Sequence, residues 1–387
     1  MTASALAVLR ALHRHTSTSG MPPPAALIGD WADADAIIAP SIDLVAGVAP
    51  PDVPDRFWLG YLGFPVRGNE SELPETVGGL TDAVLVLRDG RWEYRDVRGR
   101  PTPSWVDECL RHPIDGPADP WSARWTAPDR AAHIKAVESC LEAIRAGEVY
   151  QACVCTAFTG ELDGAPIDFY ADLTAATRPA KSAFLQGDWG SVASMSPETF
   201  LRRTGNIVTS SPIKGTIPAH LSPEILSAST KDIAENIMIV DLVRNDLGRV
   251  AVTGSVRVPE LLSVIPAPGV WHLVSTVEAI VEHGTGNEAL IDATFPPASV
   301  TGTPKLRAIE LLAEWESTPR GVYCGAIGLA GPDGLLDLNV AIRTVTVGVD
   351  GHIRLGVGGG ITSDSEPARE WQECLDKAAT IVGRSSV

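Results

Sequence analysis

Val322-Tyr323-Cys324-Gly325-Ala326-Ile327-Gly328-Leu329-Ala330, Val340-Ala341-Ile342-Arg343-Thr344-Val345-Thr346-Val347 and Ile353-Arg354-Leu355-Gly356-Val357 are three apolar, glycine-punctuated runs that precede a helical pattern beginning at Pro367. The runs read as strands. From Pro367 to Val382 the apolar residues Trp371, Leu375, Ala378 and Val382 recur at helical spacing. Upstream, a helix is expected from Lys231 to Leu247, with Ile233, Ile237, Val240 and Leu247 roughly on one face. Another is expected around Ile134, Val137, Leu141 and Ile144, where Gly147 stands as a C-terminal cap. Tyr150 to Phe158 then reads as a strand. Strands and helices alternate irregularly, which favours a mixed or antiparallel sheet over a doubly wound parallel one. Before about Asp129 the chain is punctuated by Pro22-Pro23-Pro24, Pro50-Pro51 and the stretch from Pro113 to Pro120, between short apolar runs such as Ala83-Val84-Leu85-Val86-Leu87. That part reads as mixed strands and loops, without chemistry.

Composition bounds the function. The 387 residues are 44% apolar and 20% charged, an ordinary globular mixture. Forty-eight acidic residues against 31 basic ones give a formal charge of −17. Such a chain is repelled by nucleic acid and by anionic membrane, so neither is expected as a partner. An anionic substrate would need cations concentrated locally against that field. The six cysteines (Cys109, Cys140, Cys153, Cys155, Cys324 and Cys374) form no CxxC pair and read as buried apolar side chains of a reducing compartment. Ala5 to Leu9 is apolar, but Arg10 interrupts it too early for a signal peptide, and no run is long enough to span a bilayer. A cytoplasmic location is expected.

Several residues could carry chemistry, each with a plainer alternative. Glu370 and Glu373 lie one turn apart, with Lys377 four residues on, opposite the apolar stripe of their helix. They form either a solvated face with one ion pair or an oxygen-ligand set for Mg²⁺. Spacing does not decide. Glu235 sits in Ile233-Ala234-Glu235-Asn236-Ile237-Met238-Ile239-Val240, apolar nearly all round, so a salt bridge or a metal must compensate it. Lys214, between Ile213 and Gly215, is a surface lysine in a turn or a buried amine. As a nucleophile it would need its pKa brought from about 10.4 to near 7, roughly 4 kcal/mol, which burial can supply. Gly358-Gly359-Gly360 ends a strand and could offer its amides to an anion, although glycines also mark bulges. Arg343 is a cation in an apolar strand, suited to a carboxylate or to a structural ion pair.

Taken in order, these segments resemble the chorismate-utilising family of anthranilate, aminodeoxychorismate, isochorismate and salicylate synthases. The matching stretches are Tyr150-Gln151, Ser196-Pro197-Glu198, Pro212 to Thr216, Lys231 to Asn236 running into Asp241 to Asp246, and His272 to Val277. They continue through Thr301-Gly302-Thr303-Pro304-Lys305, Arg320 to Gly325, Ile342-Arg343-Thr344, Gly358 to Gly360 and the Glu370/Glu373 helix. The resemblance implies an α/β fold of the α+β kind: two packed, mostly antiparallel sheets flanked by helices, with the active site in the cleft between them. Residues 126–387 would form the chorismate-binding catalytic region, and 1–125 a less typical N-terminal part of the same fold, where Trp58 to Gly63 is the best match. Glu235 and Glu373 would hold Mg²⁺, with Glu370 completing the acidic shell. Arg343, Tyr323 and the amides of the 358–360 glycines would take the enolpyruvyl carboxylate, and Lys377 would add positive charge. His272 would sit by the ring, and Glu198 would protonate the departing 4-hydroxyl. Thr301 and Lys305 would lie near substrate or partner, beside a loop reading Phe295-Pro296-Pro297-Ala298-Ser299 where the family usually has Phe-Pro-Gly-Gly-Ser.

Two positions choose among the family's reactions. Members that add water carry a lysine base where this chain has Gln151, and anthranilate synthases carry alanine where it has Lys214. The resemblance therefore implies the aminodeoxychorismate branch, in which the lysine attacks C2 of chorismate and ammonia then adds at C4. No cysteine sits in a Gly-x-Cys-x-Gly elbow, so a separate glutamine amidotransferase subunit is expected to supply the ammonia, with free ammonia a poorer substitute. The nearest rivals are anthranilate and 2-amino-2-deoxyisochorismate as products. A rival of another class is an inactive regulatory or scaffold chain.

Overall fold

The three runs around residues 322–357 do become strands, but the chain breaks them where it changes sheet. The computed structural model describes residues 3–52, 55–65 and 72–384. Among these, two sheets of eleven and ten strands pack together, and the pairings that carry the site are antiparallel. The N-terminal part supplies strands to both: Ala25–Trp31, Ala34–Ala39, Ala83–Arg88 and Arg91–Asp96 to the first, Val45–Ala46, Phe57–Leu62 and Thr76–Thr81 to the second.

Between the sheets lies an apolar layer to which both contribute, including Leu27, Ile37, Leu59, Val77, Leu185, Ile327 and Leu329. Two further clusters bury the helices. One packs Ala5–Ser19, Pro166–Thr177 and Pro367–Val382 on the first sheet, and the other packs Thr230–Gly248 on the second. The Ala5–Ser19 helix was not expected from its apolar opening. Val8, Leu9 and Leu12 are buried on one face, and Arg10 joins them because its guanidinium donates to the carbonyls of Ile114 and Gly116 and lies 3.6 Å from Asp168.

The expected helices form close to their sequence bounds, with local reasons. Asp129 accepts the N–H groups of Ala131 and Ala132 at the start of Arg130–Arg145, and Gly147 beyond its end has φ 77°. Ser229 caps Thr230–Gly248 through the N–H of Asp232. That helix is locked to the second sheet by Asn236, which donates to the carbonyl of Leu273 and accepts from the Ser275 hydroxyl at 2.6 Å. Its neighbour Glu235 is thereby held in place.

Three differences from the sequence reading shape the site. Val322 to Gly325 is a turn, with Cys324 at φ 66°, and the strand proper is Ala326–Gly331. The run from Val340 to Val347 is split. Leu335–Val340 belongs to the second sheet and Thr344–Val347 to the first, and the chain crosses at 341–343 with Arg343 at φ 50°. The glycine triplet lies inside the long His352–Ile361 strand, where Gly358, Gly359 and Gly360 pair with Cys155, Val154 and Cys153. Its other neighbour, Thr344–Val347, pairs only as far as Leu355. Beyond that point alternate backbone groups of one edge face no strand.

Candidate active site

The crossing at 341–343 gathers the first group. Val340 receives the Ser196 hydroxyl on its carbonyl at 2.6 Å and donates its N–H to the carbonyl of Glu198. Glu198 is buried, and burial pushes its carboxyl up to about 7 against the opposing pull of Ser299, the Ile213 N–H and Lys214. Across from it, Ile213–Pro218 pairs with Val270–Ile280, and the register jumps between Ile213 and Thr216. Gly215 sits in that jump with φ 90°. A Cβ there would be strained by this backbone conformation and would crowd Asp232 at 3.1 Å, so glycine suits the position. The bulge aims Lys214 inward.

Thr216 faces His272, with its hydroxyl 2.8 Å from Nδ1. Burial, with Arg343 nearby, pushes the imidazole down to about 4, so it is neutral at physiological pH. Burial likewise holds the Arg343 guanidinium below its ordinary value.

Glycine makes the floor. Gly356, Gly358 and Gly360 share one face of their strand. A Cβ at these positions would strike the Tyr323 ring at 2.2 Å, Cys155 Sγ at 2.6 Å, and Gln151 Nε2 at 2.6 Å with Lys214 Nζ at 2.8 Å. Tyr323, Gln151 and Lys214 thus rest on bare backbone. Gln151 is fully buried, yet neither amide atom has a hydrogen-bond partner among the described residues. A buried amide left open in this way could meet a ligand.

Carboxylates and lysines form the second group. A Cβ at Gly359 would approach Glu370 Oε2 at 3.1 Å, Glu373 Oε1 at 3.7 Å and Lys377 Nζ at 3.9 Å. Lys377 binds Glu373 at 2.7 Å and donates to the carbonyl of Gly358 at 2.7 Å. Burial raises the Glu370 carboxyl, with Glu373 adding to it and Ser365 opposing. Burial also works to raise Glu373, but Lys377, Lys214 and Lys231 outweigh it and hold its carboxyl low. The Glu235 carboxylate lies 3.9 Å from Lys214 and 3.8 Å from Lys231. Its Oε1 is buried without a hydrogen-bond partner among the described residues. Oxygen-only donors of this kind could hold a hard divalent cation. Among the described residues no three acidic, histidine or cysteine side chains converge into a ready cage. Ammonium groups stand interleaved with the carboxylates.

Two expected residues are engaged elsewhere. Thr301 is buried and donates its hydroxyl to the carbonyls of Pro297 and Ala298. Lys305 has all three N–H donors filled, by Asp246 at 2.6 Å, Thr294 O at 2.7 Å and Pro296 O at 2.8 Å. Both brace the 295–301 loop, and none of these contacts points to a ligand. Three residues had been given no role. Ser299, Thr216 and Lys231 each touch a site residue; all three lie within the stretches compared with the family, and Lys231 also stands four residues before Glu235 on one helix. Behind the site, Arg320 binds Glu316 through two bonds and the carbonyls of Val300 and Cys153 through two more. This frame ties the loop to the Gln151–Asp163 strand.

The family model described as chorismate binding enzyme matches residues 95–383. An aminodeoxychorismate synthase component 1 from Klebsiella aerogenes is 39% identical over 335 residues, 82% of this chain and 72% of that protein. An anthranilate synthase component 1 from Streptomyces coelicolor is 38% identical over 276 residues, 69% of this chain and 54% of that protein. Among solved structures, anthranilate synthase component I from Streptococcus pneumoniae superposes with a TM-score of 0.71 at 25% identity, covering 87% of this chain and 83% of that one.

Proposed function

Because this chain belongs to the family of chorismate-binding enzymes, we propose that it aminates chorismate at C4, as the synthase component of an aminodeoxychorismate synthase. The observation that carries the reading is Lys214, whose amine rests over Gly360 between the unpartnered amide of Gln151 and the Glu235 carboxylate. Identities of 39% and 38% to the two kinds of synthase do not separate them, so the assignment rests on this side chain.

The chemistry is an allylic displacement done twice. Lys214 Nζ, with its proton gone, forms a bond to C2 of the ring. The double bonds shift, the C4–O bond breaks, and the hydroxyl leaves as water with a proton from Glu198. Ammonia then bonds to C4, the double bonds shift back and the C2–N bond breaks. Lys214 is restored, and 4-amino-4-deoxychorismate keeps its enolpyruvyl group. Arg343 and Tyr323 are suited to the side-chain carboxylate, and neutral His272, anchored by Thr216, can hydrogen-bond near the ring without adding charge. Lys377, fixed at the glycine strand, gives that wall positive charge. Mg²⁺ held by Glu235 and Glu373, beside Glu370, would supply the charge that binds the ring carboxylate of a dianion. The unpartnered oxygen of Glu235 fits that role. A glutamine amidotransferase subunit would provide the ammonia, in keeping with the name component 1 of the relatives.

The deciding experiment gives the pure protein chorismate, Mg²⁺ and an ammonium salt, and identifies the product by mass spectrometry and fluorescence. 4-Amino-4-deoxychorismate is expected. Fluorescent anthranilate formed directly would overturn the assignment.

Glu198 sets a pH dependence. Its pKa is raised, so the acid is protonated below about 7 and ionised above. kcat/KM limited by this group should fall about tenfold per unit as pH rises past that point. A profile level from pH 6 to pH 9 would remove Glu198 as the acid. For the metal, dialysis against a chelator should abolish turnover and Mg²⁺ should restore it, while Glu373→Gln should raise the Mg²⁺ concentration needed by at least about tenfold. Full activity after chelation would end the metal's part.

A further inference from the structure

Glu235 is flanked in an unusual way for a carboxylate whose side chain is only 13% exposed. Lys214 approaches one oxygen at 3.9 Å and Lys231 the other at 3.8 Å, both too far for a hydrogen bond. Among the described residues Oε1 has no hydrogen-bond partner. Charge alone therefore holds this carboxylate, in contrast to Glu373, which Lys377 grips at 2.7 Å. The two lysines also act electrostatically on Glu373, and Lys231 acts on Glu370. Two single positive charges thus stand among three carboxylates from two helices, Thr230–Gly248 and Pro367–Val382.

We propose that Lys214 and Lys231 are built-in counter-ions of Glu235 that a divalent cation must displace, so that loading the metal and freeing Lys214 from its carboxylate are one event. The inference rests on the reading of Glu235 as a metal ligand. The exchange is balanced in charge, since one double charge replaces two single ones. It is also easy, because among the described residues no hydrogen bond to the Glu235 carboxylate has to break. Lys231 is 53% exposed and can swing into solvent. Lys214 is held on a bulged strand over Gly360, beside the place where substrate would lie. An acidic site guarded by lysines binds its metal less tightly than its carboxylates allow. In return, the nucleophile is held by a carboxylate until the metal that binds the substrate has arrived.

The test measures Mn²⁺ binding to the intact chain without substrate, by electron paramagnetic resonance of the free ion, and confirms it with Mg²⁺ by calorimetry. Lys231→Met and Lys214→Met should each tighten binding by roughly tenfold, because a like charge near the ion is removed. Lys231→Arg keeps the charge and should bind as the wild type does. Glu235→Gln should weaken binding in every background. If both methionine variants bind no tighter than the wild type, the counter-ion proposal is wrong while the metal site stands. Tightening that persists in the Glu235→Gln background would also overturn it, since the ion would then sit elsewhere. If the wild type binds no Mn²⁺ at millimolar concentration, the metal-site reading itself falls, and the proposal with it. Lys231 lies on the surface, so its variants test the idea even if Lys214→Met folds poorly.

Discussion

Lys214→Ala is expected to lower the turnover of chorismate with ammonia by about a thousandfold or more, with little change in KM. The argument is one of position. Lys214 is the amine that the bulge at Gly215 aims over Gly360, between Gln151 and Glu235. Removing a nucleophile that bonds to the substrate only during reaction lowers kcat without removing the contacts that bind it. Arg343, Tyr323 and the acidic residues remain in place for binding. Lys214→Arg should fare no better, because a guanidinium keeps its proton and cannot attack. Steady-state rates of both variants, with product identified by mass, make the measurement. Turnover within tenfold of wild type in Lys214→Ala, with the same product, would refute the covalent role.

Asp337→Ala is expected to destabilise the protein by about 3–5 kcal/mol, the cost of leaving a buried charge without its partner. Lys181 and Asp337 meet at 2.6 Å with side chains almost wholly buried, and Lys181 lies 4.4 Å over the Trp31 ring. The second Asp337 oxygen accepts the Ala32 N–H. Removing both charges while keeping that acceptor, in Lys181→Met with Asp337→Asn, should recover more than half of the loss. Urea unfolding of the single and double variants, compared at constant slope, decides it. A double variant as unstable as Asp337→Ala would show that packing, not the stranded charge, is responsible. The consequence reaches the site, because Asp337 lies on the Leu335–Val340 strand that leads into the Arg343 crossing. Asn339 on the same strand donates to the carbonyl of Lys181 and accepts from the Ile327 N–H, so the pair fixes the register from which Arg343 emerges.

Of the stripe expected on the last helix, Trp371 and Ala378 are buried and Leu375 and Val382 only partly, with Cys374 and Ile381 completing the face. On the earlier helix Val240 and Leu247 are buried as expected, but Ile237 is 47% exposed and Asn236, Ile239 and Val243 fill the inner face. Periodicity thus found both helices and placed their apolar stripes only in part. It was a poor guide to Ala5–Ser19, whose buried Arg10 looked like an interruption until its distant acceptors at 114 and 116 were seen. The glycine triplet was expected to end a strand as an open nest. It continues the strand, because the long Gln151–Asp163 partner pairs with it to the end. Its glycines serve instead to let side chains lie against the backbone on both faces.

The sequence by itself determined which chemical groups this protein has and roughly where they stand on their own elements: two carboxylates a turn apart, a lysine before a glycine, and a carboxylate on an apolar helix. These follow from local spacing, which covalent geometry and helix pitch dictate. Only the tertiary structure decided which of them meet. Lys214 and Glu235 are 21 positions apart and Gly360 is far beyond both, while Lys305, equally prominent in the sequence, has its three donors filled by a loop and an aspartate. A lysine's reach of several ångströms can end on a substrate or on a carbonyl. Long-range packing of the sheets and helices, which no local spacing encodes, selects between them.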